Sequence, residues 1–219
     1  DFSSGDTEKR REIISEKLAA GNYGAEWAPV MEDLVKVVLN ARLVPADFAL
    51  KDIEESSTIR EMDFLFPMDR IDREGLCGLF RKNSGRLKSG EFSDAVQELD
   101  FGSMRGYLKG FIDLVFIHEE KYYILDWKSN YLGPAAVNYR SGSLLAAVTT
   151  ECYFLQYLLY TAALDIFLEK KLADYSYENN FGGVFYIFLR GMNGNGSEGI
   201  YFDRPDYNII SDLREFFQK

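Results

Sequence analysis

The chain has 219 residues, of which 47% are hydrophobic and 27% charged, with a formal net charge of −10. That is enough apolar material for one sizeable domain with its own core, and the acidic balance excludes a protein that grips nucleic acid by bulk phosphate neutralisation. Any contact with DNA must be local, bridged by a metal, or supplied by partners. The cysteines, Cys77 and Cys152, lie far apart in no metal-ligand spacing, which fits a reduced, cytoplasmic protein. No run is long and apolar enough to span a membrane. The start, DFSSGDTEKRRE, has neither a signal peptide's apolar stretch nor an initiator methionine, as expected of a piece of a longer chain.

In chain order, Thr7 to Ala20 places Ile13, Ile14, Leu18 and Ala19 at helical spacing and stops at Gly21. Pro29 to Ala41 repeats the pattern with Val30, Leu34, Val37 and Val38 and a proline in the first turn. Arg42 to Ser57 reads as a polar connection with room for a short helix. Thr58 to Met68 alternates as a strand, with Ile59, Glu61 and Asp63 on one face and Met62, Phe64 and Phe66 on the other. Asp69 to Phe101 is mixed and glycine-punctuated, and its basic cluster, Arg81, Lys82, Arg86 and Lys88, reads as a solvated loop or as a local DNA contact.

Gly110 to Asn130, GFIDLVFIHEEKYYILDWKSN, holds two apolar runs, each interrupted by one acid. Asp113 sits in the first and Asp126 in the second, and His118, Glu119 and Glu120 join them as a tight connection, so the stretch reads as a hairpin of buried strands. A carboxylate buried without a partner costs on the order of several kcal/mol and calls for a metal or a counter-charge. Asp126 and Lys128, two apart on a strand, leave the same face. Two aspartates on neighbouring strands would offer hard oxygens to a magnesium ion, and Lys128 would hold and help deprotonate the attacking water or stabilise charge developing on the phosphoryl group. The plain alternative is a buried Asp126–Lys128 salt bridge.

Further on, Tyr131 to Thr150 passes from loop to helix, and Tyr153 to Leu172 is an apolar helix broken only by Gln156 and Asp165 among its inner positions. Gly183 to Leu189 reads as an interior strand, Gly191 to Gly199 as a plain connection, and Asn208 to Phe217 as a closing amphipathic helix. Strands mixed with helices around a hairpin predict an α/β fold with a small mixed sheet.

The order acid, spacer, Asp-x-Lys resembles the PD-(D/E)xK nuclease superfamily. The strings GYLKGFIDLVF, YYILDWKSNYLG, LQYLLYTAAL, FGGVFYIFLRG and GIYFDRP together are similar to the C-terminal nuclease domain of RecB-like helicase-nucleases. The resemblance implies a restriction-endonuclease-like core with a small central mixed sheet flanked by helices, and a Mg2+-dependent DNA exonuclease or endonuclease. By position it makes Asp113, Asp126 and Lys128 catalytic. It makes Asp113, Asp126 and the Trp127 main-chain carbonyl metal ligands, with Glu61 joining them through water. Gln156 and Tyr160 match a QxxxY motif that supports the site and contacts DNA. The implied partners are single- and double-stranded DNA, the helicase portion of the same subunit, RecC-like and RecD-like subunits, and the RecA recombinase, with no membrane.

One departure stands out. The family carries a metal-binding histidine on an upstream helix, in a GTxxH-type motif, whereas the only histidine here, His118, falls in the hairpin turn and reads as a surface residue. The expectation is one nuclease domain over residues 1–219, a helical part at 1–57 and a catalytic core at 58–219, cut from a longer subunit without the histidine-bearing helix. The competing reading is a catalytically weak module that docks the recombinase. A two-carboxylate glycosidase leaves Lys128 and the QxxxY match unexplained.

Overall fold

The computed structural model describes residues 7–194 and 196–218. Two helices open the chain, α1 (Thr7–Ala20) and α2 (Ala28–Asn40), followed by the short strands β1 (Arg42–Leu43) and β2 (Phe48–Ala49). Then come β3 (Thr58–Ile71), α3 (Arg73–Lys82), α4 (Glu91–Gln97), β4 (Met104–His118) and β5 (Lys121–Lys128). The chain closes with α5 (Ser141–Thr150), α6 (Tyr153–Lys171), α7 (Tyr177–Asn180), β6 (Phe181–Phe188), β7 (Ile200–Asp203) and α8 (Tyr207–Gln218). Strands β3 to β7 form one sheet in sequence order. Its neighbours are antiparallel except β5 and β6, which are parallel because α5 and α6 carry the chain back across the sheet. This α/β arrangement, a five-stranded mixed sheet flanked by helices, is that of a restriction-endonuclease-like core.

Each face of the sheet has its own core. On one, α3, α4, α5, α6 and α8 bury Phe80, Phe92, Phe154, Leu164 and Ile210 against Ile112, Ile124, Val184 and Tyr186. On the other, α2 and the β1–β2 segment bury Val38, Leu43, Phe48, Leu50 and Ile53 against Leu114, Phe116, Leu125, Phe185 and Ile187. The segment from Arg42 to Ser57 is therefore a lid on the sheet, not a polar connection. Its charged residues Arg42, Asp47 and Lys51 are exposed while the apolar ones between them are buried, a split that composition averages away.

The apolar α6 is buried as its sequence requires, and its polar interruptions have separate partners. Asp165, 2% exposed, accepts from the Tyr175 hydroxyl at 2.7 Å and pairs with Arg214 on α8. Gln156 belongs to the site described below. The basic cluster is not a loop at its start: Arg81 and Lys82 form the last turn of α3. Lys82 pairs with Asp212 at 2.9 Å, Arg86 lies 3.8 Å from Asp206, Arg81 donates to the Cys77 carbonyl, and Lys88 donates to the Phe202 carbonyl. Each of these cations has a partner within the protein, and the Lys82 and Arg86 side chains stay largely exposed. Among the described residues no helix is long and apolar enough to cross a membrane.

The β4–β5 hairpin closes through a two-residue turn, Glu119 and Glu120, both at positive φ (48° and 62°), between the paired His118 and Lys121. This is a type I′ geometry, which favours Asn-Gly and strains glutamate. The double substitution Glu119→Asn with Glu120→Gly is expected to stabilise the protein by about 1 kcal/mol, read as a higher urea midpoint at unchanged slope.

Candidate active site

The site forms where the β4–β5 ladder stops. Backbone pairing runs from His118 with Lys121 to Leu114 with Leu125, and the next step sets Asp113 opposite Asp126. Here the Asp113 carboxylate replaces the ladder, its Oδ2 accepting from the Trp127 N–H at 3.0 Å. In a strand the N–H and C=O of one residue point to the same edge, so the Trp127 carbonyl also faces this gap. Its indole is half-buried on the second core.

The neighbouring strand changes phase at the same level. Met62 pairs with Ile112, and both lie in the first core; Arg60 pairs with Leu114, which lies in the second. Residues two apart on a regular strand share a face, so the pair turns over between these positions, at Glu61 opposite Asp113. Glu61 absorbs the slip with φ 50°, a left-handed conformation that costs a non-glycine residue roughly 1–2 kcal/mol. Its side chain is exposed. Among the described residues no three His, Cys, Asp or Glu side chains gather into a cation-sized group, so Glu61 is level with the aspartates without converging on them.

Asp126 is 4% and Lys128 7% exposed, and Lys128 Nζ lies 2.7 Å from Asp126 Oδ2. The lysine also donates to Gln156 Oε1 at 2.8 Å. Its ammonium sits over two rings, 3.9 Å from the centroid of Tyr153 and 4.4 Å from that of Tyr186. Tyr186, directly beside Asp126 on β6, donates its hydroxyl to the same Gln156 oxygen at 2.9 Å. With Oε1 accepting twice, the amide can face only one way, and Nε2 donates to the Tyr160 hydroxyl at 2.8 Å. Tyr153 in turn donates to Asn130 Oδ1 at 3.1 Å. A lysine on a flexible stem is thus fixed in position by a carboxylate, an amide oxygen and two π faces.

Burial pushes the Asp126 carboxyl above the usual aspartate range, the Lys128 hydrogen bond and charge oppose this, and the negative charge of Asp113 adds to the rise. Tyr160 is pushed up to about 12, first by burial and then by the charge of Asp126, so its hydroxyl keeps its proton. The oxygens open to a cation are the Asp113 and Asp126 carboxylates and the Trp127 carbonyl. They are hard donors on rigid strands, and two carboxylates share one lysine, which leaves a formal charge of about −1 in the gap. A divalent metal fits that set.

The structure brings together Asp113, Asp126, Lys128, Trp127, Gln156 and Tyr160, and leaves Arg81, Lys82, Arg86 and Lys88 on α3 and the loop after it, with Arg81 bonded to its own helix, Lys82 to Asp212 of α8, Arg86 near Asp206, and Lys88 on the Phe202 carbonyl of β7. His118 is at the far end of the hairpin and is half-buried rather than on the surface, its ring 4.2 Å from that of Phe48. Tyr186 and Tyr153 escaped the sequence reading because a tyrosine in an apolar strand or helix reads as core. The one available signal was their hydroxyls, which must find a partner when buried.

Comparison with profiles of known protein families gives no match. Individual relatives do match. Over 206 residues, 93% of the chain, it is 38% identical to the RecBCD enzyme subunit RecB of Escherichia coli K12. The chain is a relative of RecB. It is 37% identical to the RecB of Haemophilus influenzae over 170 residues, and 31% identical to that of Borreliella burgdorferi over 209. These RecB proteins are much longer: the chain spans 17%, 13% and 16% of them respectively.

Removing the lysine head tests the electrostatics of this RecB-like site. Lys128→Met leaves Asp126 buried without its cation, a change of about 3–5 kcal/mol in comparable pairs. An acid whose folded pKa is raised costs no stability below its unfolded value and costs progressively more as pH rises towards the folded one. Lys128→Met is therefore expected to lose more stability near pH 7.5 than near pH 5, by urea unfolding at each pH.

Proposed function

We propose that the chain is the C-terminal nuclease domain of a RecB-like helicase-nuclease, a Mg2+-dependent DNA phosphodiesterase. The observation that carries this reading is the pair Asp113 and Asp126 at the opening of the β4–β5 ladder, with Lys128 held beside them. Residues 1–219 act as one nuclease domain, with 58–219 as its catalytic core and the helices of 1–57 built onto the sheet through α2 and the β1–β2 lid.

In this reading Asp113, Asp126 and the Trp127 carbonyl hold the metal, and Glu61 reaches it through water. When bound, the cation supplies Lewis acidity and a water of lowered pKa. Lys128, held in place by Gln156, Tyr153 and Tyr186, faces the charge that develops on the phosphoryl oxygens. Gln156 and Tyr160 orient the lysine and present a protonated hydroxyl along the same wall.

The acidic surface agrees with DNA delivered by other parts of a complex, which the relatives' name as a RecBCD subunit makes available. The proposed partners are DNA, the helicase portion of the same subunit, RecC-like and RecD-like subunits and the RecA recombinase, in the cytoplasm.

Digestion of linear single-stranded DNA with Mg2+ tests the assignment. Activity is expected to vanish with EDTA and to fall roughly a thousandfold or more in Asp126→Ala; cleavage that persists in that variant would refute the nuclease reading. Tyr186→Phe, which keeps the ring and removes the hydroxyl bond to Gln156, is expected to lower kcat about tenfold with KM unchanged.

A further inference from the structure

We propose that the outer face of the long β3–β4 arm is a platform for single-stranded nucleic acid, with bases stacking on Tyr107 and Phe111 and a phosphate meeting Lys109. The proposal deepens the nuclease reading and rests on it for the direction in which the strand runs. It begins from an alternation in β4. Ile112 lies in the first core and Leu108 packs against it, so Tyr107, Lys109 and Phe111 leave the opposite face, and all three are exposed. Tyr107 is 71% and Phe111 51% accessible. On that face Lys109 lies opposite Leu65, itself 58% exposed, and Tyr107 opposite Pro67.

Single exposed apolar residues are ordinary on protein surfaces. These are not scattered: aromatic, cationic and aromatic groups recur every second residue, about 6.6 Å apart along a strand. Lys109 Nζ lies 5.0 Å from the Phe111 centroid, so charge and π face are offered together. The platform is rigid, because the inward side at Gly110 is filled by the Phe64 ring, which a Cβ there would strike. Along the strand it begins two residues from Asp113, on the face turned away from α6.

Sequence-tolerant binding of single strands uses this combination of stacking surfaces and a cation tracking the backbone. It also suits a chain of net charge −10, which cannot rely on a broad basic surface and whose Arg81, Lys82, Arg86 and Lys88 cluster is engaged elsewhere. Bases paired in a duplex do not offer their faces, so the platform selects single strands.

The test is fluorescence anisotropy of a labelled oligothymidylate, and of a duplex of the same length, with the 219-residue chain in EDTA, circular dichroism confirming the fold of each variant. Tyr107→Ala with Phe111→Ala is expected to weaken single-strand binding at least about tenfold and leave duplex binding unchanged. Tyr107→Phe and Phe111→Tyr, which keep the rings, are expected to bind normally, and Lys109→Gln to lower the salt slope by about 0.7. A double alanine variant that binds single strands like the parent, or a parent that does not bind them, overturns the platform. Cleavage assays separate this from the parent reading: ring-dependent binding without Asp126-dependent cleavage sinks the nuclease and spares the platform, and the reverse pattern does the opposite.

Discussion

Everything at the site depends on keeping an ionised aspartate and an ionised lysine together in a nearly dry place. Taking such a pair out of water is costly, and attraction between the two repays the cost only when the remaining hydrogen-bonding capacity is also filled. Around Asp126 and Lys128 that filling is visible: Gln156 takes one ammonium proton and two tyrosine rings cover other directions. Gln156 is in turn held by Tyr186 and donates to Tyr160. The network is closed on the lysine side and open on the side of Asp113, where two carboxylates face a gap.

The sheet explains why the gap is there. A regular antiparallel ladder would have continued past Leu114 and Leu125 and filled the space with backbone hydrogen bonds. Instead the β3–β4 pair changes phase at Glu61 and Asp113, and a side-chain carboxylate takes over the Trp127 N–H. The arm beyond this point leaves the cover of the β1–β2 lid, so the face that buries Leu114 and Phe116 at one end exposes Phe111 and Tyr107 at the other. Strain at Glu61 is the local cost of separating a covered half of the strand pair from an uncovered one. Backbone outliers of this kind concentrate at functional sites, and this one is level with the aspartates.

Scaffold and site share α6. Its inner surface holds the sheet through Phe154, Leu158 and Leu164, its first turns supply Tyr153, Gln156 and Tyr160 to the site, and its Asp165 is clamped by Arg214 and Tyr175. The clamp anchors the C-terminal half of the helix to α8, while the half that orients Lys128 is seated on the sheet through Phe154 and Leu158.

The sequence by itself determined the hairpin, the sharing of a face by Asp126 and Lys128, the buried helix with its two polar interruptions, and the closing helix. Each rests on local periodicity, in which side-chain direction follows from spacing along one element. Its resemblance to RecB-like nucleases picked out Tyr160 against a core reading. Only the tertiary structure decided that Arg42 to Ser57 is a buried lid, that Lys82 pairs with α8 and Lys88 with β7, and that Tyr186 orients Gln156. It also decided that Glu61 stands opposite Asp113 in a left-handed conformation. These facts depend on which elements become neighbours: a polar average conceals a few inward side chains, a charge has no assigned partner until another helix arrives, and a strand register exists only between two strands.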